Sequence, residues 1–271
     1  MTSKNIKLAF IFSNCFFLAS CDSDAEKDFE LICGDGHSIK HQEGLKSDEI
    51  LKEYIIGDKK SDLEKLVQVK HEDNTISYDG YVSYSGLLRV NKQLSENPSV
   101  KLIKVDSLGG VTSLGLCFGE LIYKNKLDVE VKNRVYSSAA NYIFVAGRNK
   151  YISKNALIGF HGGEASTQFY DLEKNKDVKS ENSITESSNN ATKEWESEFY
   201  KKLGLNIRLV TAGQETGFAK LNQVGWTYTL DAFEYLGVNG IKLSDGVWDI
   251  NTKYSESKNL FVIDKNYLIK N

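Results

Sequence analysis

Between Thr75 and Phe160 the chain switches repeatedly between two hydrophobic periods, which leaves few architectures open. Thr75 to Ser83 alternates like a strand, and Leu87 to Leu94 has helical spacing that Asn97-Pro98 closes. Lys101 to Val105 reads as a compact apolar strand, Leu114 to Lys124 as a helix and Val129 to Val135 as a strand. Ser138 to Ala146 reads as a helix and Ala156 to Phe160 as a further strand. Strands that alternate with helices predict an α/β domain with a largely parallel sheet, because parallel neighbours need a crossover between them.

The flanks are less regular. Residues 165 to 193 form a polar stretch that includes Ser187-Ser188-Asn189-Asn190, read as a surface insertion. Ala191 to Leu203 has helical spacing, with Trp195, Phe199 and Leu203 on one face, and core packing of an amphipathic helix is the expected use of that stripe. Asp231 to Leu236 reads as a short helix ahead of Gly237, and Leu260 to Ile269 has strand character. Residues 21 to 74 are charged, with only short apolar patches, and predict a tether and an irregular or helical lead-in to a domain over 75–271.

At the amino terminus, Lys4 and Lys7 precede an apolar run from Leu8 to Leu18, and Leu18-Ala19-Ser20-Cys21 follows. This has the order of a secretion signal over residues 1–20. The run is too short for a comfortable permanent span. The segment resembles the lipobox of bacterial lipoproteins, which implies that Cys21 carries acyl chains and holds the protein on a membrane. That anchor puts the expected location on the periplasmic side of the cell envelope, and Asp22, which resembles the enterobacterial inner-membrane retention signal, points to the inner membrane. Cys33 and Cys117 are then the two thiols remaining in an oxidising compartment, free to pair.

The charge balance narrows the partners. With 34 Lys plus Arg against 37 Asp plus Glu, and only Arg89, Arg134, Arg148 and Arg208 as arginines, no clustered positive surface is expected. Nucleic acid is excluded as a partner on that ground, since phosphate binding needs such clusters.

Three turns carry candidate chemistry. Ser107-Leu108-Gly109-Gly110-Val111 follows a strand and opens a helix, where glycines let backbone N–H groups approach a ligand. Tyr136-Ser137-Ser138-Ala139-Ala140 is a second strand-to-helix turn, in which a serine either projects a nucleophilic hydroxyl or caps the helix. Ile158-Gly159-Phe160-His161-Gly162-Gly163 ends a strand with an imidazole between small residues, suited to a general base.

In order and spacing these turns resemble the ClpP/crotonase superfamily, in particular ClpP-type serine peptidases and secreted ClpP-like proteins. The likeness covers Thr75 to Gly163 and returns at Thr229 to Val238. It implies an α/β spiral of repeated ββα units with a mostly parallel sheet. By position, Ser138 matches the nucleophile, with Ser137 as fallback, and His161, 23 residues later, matches the base. The N–H groups of Gly110 and Ala139 match the oxyanion hole. Leu108 stands where the family's glycine loop has proline. The stretch that should hold the family's histidine-orienting aspartate, Gly213 to Asn222, has none, and Glu215 or Asn222 is the expected substitute for a third member.

The resemblance implies a membrane-anchored serine peptidase acting on peptides or unfolded protein through an acyl-enzyme, without metal or organic cofactor. It also implies a homo-oligomer. Export removes ATP, so no unfolding ATPase is expected as partner. The absent aspartate equally fits a catalytically silent lipoprotein that binds or assembles. A crotonase-type acyl-CoA enzyme is disfavoured by export away from coenzyme A.

Overall fold

A computed structural model describes residues 30–34, 36–56, 67–166, 183–215, 225–250 and 260–270. Cys21, Asp22 and the signal segment lie outside them, as do most of the polar insertion and Asn222.

The structure is α/β, with a mostly parallel central sheet. Two strands, β1 (Glu30–Gly34) and β2 (His37–Lys40), form an antiparallel hairpin followed by helix α1 (His41–Ile56). The sheet opens with β3 (Val67–Glu72), antiparallel to β4 (Thr75–Gly80). Then come α2 (Tyr84–Glu96), β5 (Leu102–Ser107), α3 (Thr112–Lys124) and β6 (Asp128–Tyr136). A π-helix over Ala139–Phe144 precedes β7 (Lys150–Ile152) and β8 (Leu157–Gly159). Helix α4 (Ser183–Leu203), β9 (Trp226–Tyr228), α5 (Leu230–Tyr235), β10 (Ile241–Leu243), β11 (Phe261–Ile263) and α6 (Lys265–Lys270) complete the order.

The sheet runs β10-β7-β6-β5-β4-β3, parallel except at β3, with β8 on the far half of β6. Strand β6 serves two neighbours because it breaks register with β5 between Val105 and Ser107: Val129 to Val131 pair with β7 and Arg134 to Tyr136 with β8. Asp106 holds that break, accepting hydrogen bonds from Asn133 Nδ2 and Arg134 Nε, each at 2.8 Å. Ile103, Val105, Val129 and Val131 are buried in the sheet, and ring contacts continue the core through Tyr142–Phe199, Phe144–Phe233 and Phe160–Phe233.

Several expectations need correction. The segment read as tether and helical or irregular lead-in does contain a helix, but also a hairpin and the first strand of the sheet, so sheet structure begins ahead of residue 75. Its low hydrophobicity hid this because other forces fix it. Cys33 in β1 and Cys117 in α3 form a disulfide. Asp48 of α1, 5% exposed, accepts the N–H groups of Tyr84 and Ser85 at 2.6 and 2.9 Å, capping α2 from another helix. Helix α4 starts at Ser183 rather than Ala191. Its Trp195 and Phe199 are buried, as core packing requires. The tail read as strand is a short strand and then a helix, with Leu268 of α6 turned into the core.

Candidate active site

Two of the three candidate turns, the glycine loop and the serine turn, meet because two glycines allow it. Gly109 has φ +89°, and a Cβ there would stand 2.6 Å from the Tyr136 carbonyl oxygen and 3.0 Å from the Ser138 nitrogen. Gly110 forms a parallel bridge with Val82, and a Cβ on it would come within 2.3 Å of the Val82 carbonyl oxygen. The loop after β5 is thus wedged between β4's extension and the turn after β6. The buried Ser107 hydroxyl closes it by accepting from the Gly109 N–H at 3.1 Å.

At the second turn, Ser137 takes the left-handed conformation, φ 55°, which costs a non-glycine residue roughly 1–2 kcal/mol. The chain reverses there, and Ser138 (φ −58°) starts the π-helix. All residues from Ala139 to Ala146 are buried, and such local π geometry is frequent at functional sites. Ser138 is 2% exposed; its hydroxyl accepts the Gly110 N–H at 2.8 Å and donates to the Gly110 carbonyl at 3.1 Å. Ala139 opens the helix, where N–H groups lack acceptors within it.

His161 reaches the site because Ser137 N–H donates to Gly159 O at 2.9 Å, tying the serine turn to the end of β8. Its ring stands edge-on to Tyr136 at 5.5 Å between centroids. Partial removal from water holds its pKa below the usual 6.5, so the imidazole is neutral at neutral pH and fit to take a proton. Gly110, Ser137, Ser138 and His161 line one cavity of about 570 Å³, walled also by Ile50 and Leu51 of α1.

The sequence-predicted residues divide accordingly. Ser138, Gly110 and His161 come together around this cavity, and both hydrogen bonds of the Ser138 hydroxyl go to Gly110 rather than to the imidazole. Glu215 is engaged elsewhere: it accepts from Arg208 Nε and Nη2 at 2.8 Å each and from the Tyr267 hydroxyl at 3.2 Å. Among the described residues no side chain hydrogen-bonds the His161 ring; Gln214 reaches its carbonyl, at 3.4 Å. Those residues hold no cluster of ligands fit for a metal ion.

Other residues shape the site without having been singled out. Asn141 donates to the Gly162 carbonyl at 2.6 Å, pinning the loop just past His161. Its place three residues after Ser138, on the same helix face, was the available signal. Glu196 is fully buried and accepts from the Tyr142 hydroxyl at 2.5 Å, from Glu164 N–H at 3.2 Å and from Ala165 N–H at 2.7 Å. Burial pushes its pKa, and that of Glu164 on the cavity wall, above the usual carboxyl value. Nothing in the sequence distinguishes Glu196 from the exposed acids beside it.

No protein-family model matches the chain, and no curated protein matches it. Among solved structures it is similar to a provisionally named enoyl-CoA hydratase from Streptomyces avermitilis. The match has a TM-score of 0.29 and 13% identity over 38% of this chain, and spans half the length of the other. A likeness of that size leaves the activity to be argued from the site alone.

Proposed function

We propose that the protein is a ClpP-like serine hydrolase that cleaves peptide bonds through an acyl-enzyme on Ser138. The observation that carries this reading is the shared cavity: the hydroxyl, a backbone N–H aimed at it and a neutral imidazole arrive from three separate turns. In the free protein the Ser138 oxygen occupies the Gly110 N–H that an oxyanion would use. A substrate carbonyl taking that donor would release the hydroxyl to rotate to another staggered position toward His161. His161 accepts the proton as Ser138 attacks and returns it to the leaving amine, and Gly110 with Ala139 N–H stabilises the tetrahedral oxygen. No cofactor enters this scheme.

The same proposal places the protein outside the cytoplasm on a lipid anchor at Cys21. The Leu18-Ala19-Ser20-Cys21 order supports this, and the Cys33–Cys117 bond suits an oxidising compartment. Among the described residues no helix is long and apolar enough to cross a membrane. Substrates would be short or unfolded peptides reaching the cavity without an ATPase. Self-association belongs to the proposal, through surfaces other than the buried Trp195 and Phe199.

One observation favours a silent binding module instead, namely that Glu215 is spent on Arg208. A fluorophosphonate probe separates the two readings. The hydrolase reading expects labelling that survives Ser137→Ala and vanishes in Ser138→Ala; absence of labelling from pH 5 to 9 in the folded protein sinks it.

A further inference from the structure

A second cavity, of about 230 Å³, lies among the C-terminal end of α3, the turn before β7 and the Gly237–Asn239 turn, and shares no lining residue with the Ser138 cavity. Lys150 of β7 lines it and is only 5% exposed. Its ammonium donates to the carbonyls of Gly147 at 2.6 Å and Asn239 at 2.8 Å, and both acceptors line the cavity too. The charge is therefore held among residues of the cavity wall.

What the site lacks is a counter-charge. Buried cations are normally paired with carboxylates. Among the described residues no carboxylate lies within ion-pair distance of Lys150. The other charged groups on the cavity are also cationic: Lys126, which follows α3 in a left-handed conformation, and Arg148, whose guanidinium is already committed to Asp128 at 3.0 Å. Tyr123 is the remaining titratable group on the wall, and Val145, Leu203 and Leu205 make the rest apolar. Neutral carbonyl dipoles satisfy two N–H groups of the ammonium and leave its full charge unneutralised.

We propose that this cavity is a binding site for a small carboxylate with an apolar body, whose anionic end supplies the partner Lys150 lacks. The volume is below the roughly 300 Å³ at which pockets for drug-sized ligands begin, so the ligand is small. The carboxylate sits by the Lys150 ammonium under the field of Lys126, and its chain lies against Val145, Leu203 and Leu205. Burial lowers the Lys150 pKa to about 8, so the empty site loses its charge just above neutral pH, and an anion restores it by drawing a proton in.

The test is calorimetric titration of the full chain with octanoate and with the uncharged octanamide. Saturable binding of octanoate and none of octanamide is expected at pH 7. If only the protonated site binds, affinity falls about tenfold from pH 7 to pH 9, with proton uptake at pH 8 seen as a dependence on buffer ionisation heat. Lys150→Met abolishes binding, Lys126→Gln weakens it, and Ser138→Ala leaves it unchanged. Equal binding of octanamide, no saturation at millimolar octanoate, or the same affinity at both pH values in the wild type overturns the proposal even if Lys150→Met fails to fold.

Discussion

The Gly110 N–H and the Ser138 hydroxyl oxygen are 2.8 Å apart across a gap of 28 residues in sequence. The contact joins the loop after β5 to the turn after β6, and so couples the proposed nucleophile to its proposed oxyanion donor before any substrate is present.

Gly110→Ala tests that coupling. The added methyl would meet the Val82 carbonyl oxygen at 2.3 Å, a backbone atom held in the bridge, so the loop rather than the neighbour must move. Peptide or ester hydrolysis per folded molecule is expected to fall about 10²- to 10³-fold, the usual cost of one oxyanion donor. Unchanged kcat with a fold verified by circular dichroism would remove Gly110 from the mechanism.

In the proposed mechanism His161 sets the pH profile. Partial removal from water lowers its pKa, so the neutral, base-competent form persists below pH 6.5 and is lost only as acid reaches the lowered value. The acidic limb of kcat/KM for a fluorogenic ester should centre below pH 6.5. A limb centred above it would mean that another group acts as base.

Glu196 is expected to be a positioning residue. Glu196→Ala leaves the Tyr142 hydroxyl and two backbone N–H groups without their acceptor, at about 1–3 kcal/mol for each group left buried and unpaired. The thermal midpoint should drop, and kcat of the folded fraction should fall by as much as about 10²-fold as the His161 loop drifts. Glu196→Gln, which keeps one acceptor oxygen, should recover most of the activity; equal loss in both variants would point to the charge itself.

The disulfide should dominate the stability of the amino-terminal hairpin. Cys33 and Cys117 are 84 residues apart, and closing such a loop is worth about 4–5 kcal/mol in the chain-entropy description. Urea unfolding with and without reductant, and of Cys33→Ser with Cys117→Ser, should show a lower midpoint in the reduced and double-substituted forms. Coincident curves would show that the hairpin holds without it.

Much of the core was legible because its signals are local. Glycines at 109 and 110, Asn97-Pro98, and the period change between Val105 and Leu114 each mark a boundary within a few residues, and strands and helices formed close to where they were expected. The three turns around the candidate site were found for the same reason. The missed features depend on contacts between distant segments: the lead-in is fixed by Cys117 and by Asp48 on α2, and Glu196 is buried only because α4 packs on the π-helix and the turn after His161. The π-helix was read simply as a helix because nothing in Ala139–Phe144 distinguishes one winding from the other.

Helix α1, which the composition had marked as an accessory, gives the candidate site part of its wall through Ile50 and Leu51, while its Asp48 clamps the start of α2. Trimming the protein back to its regular strand-and-helix core would open one side of the cleft to bulk water and strip a cap from a neighbouring helix at the same time. Any minimal working unit must therefore keep α1.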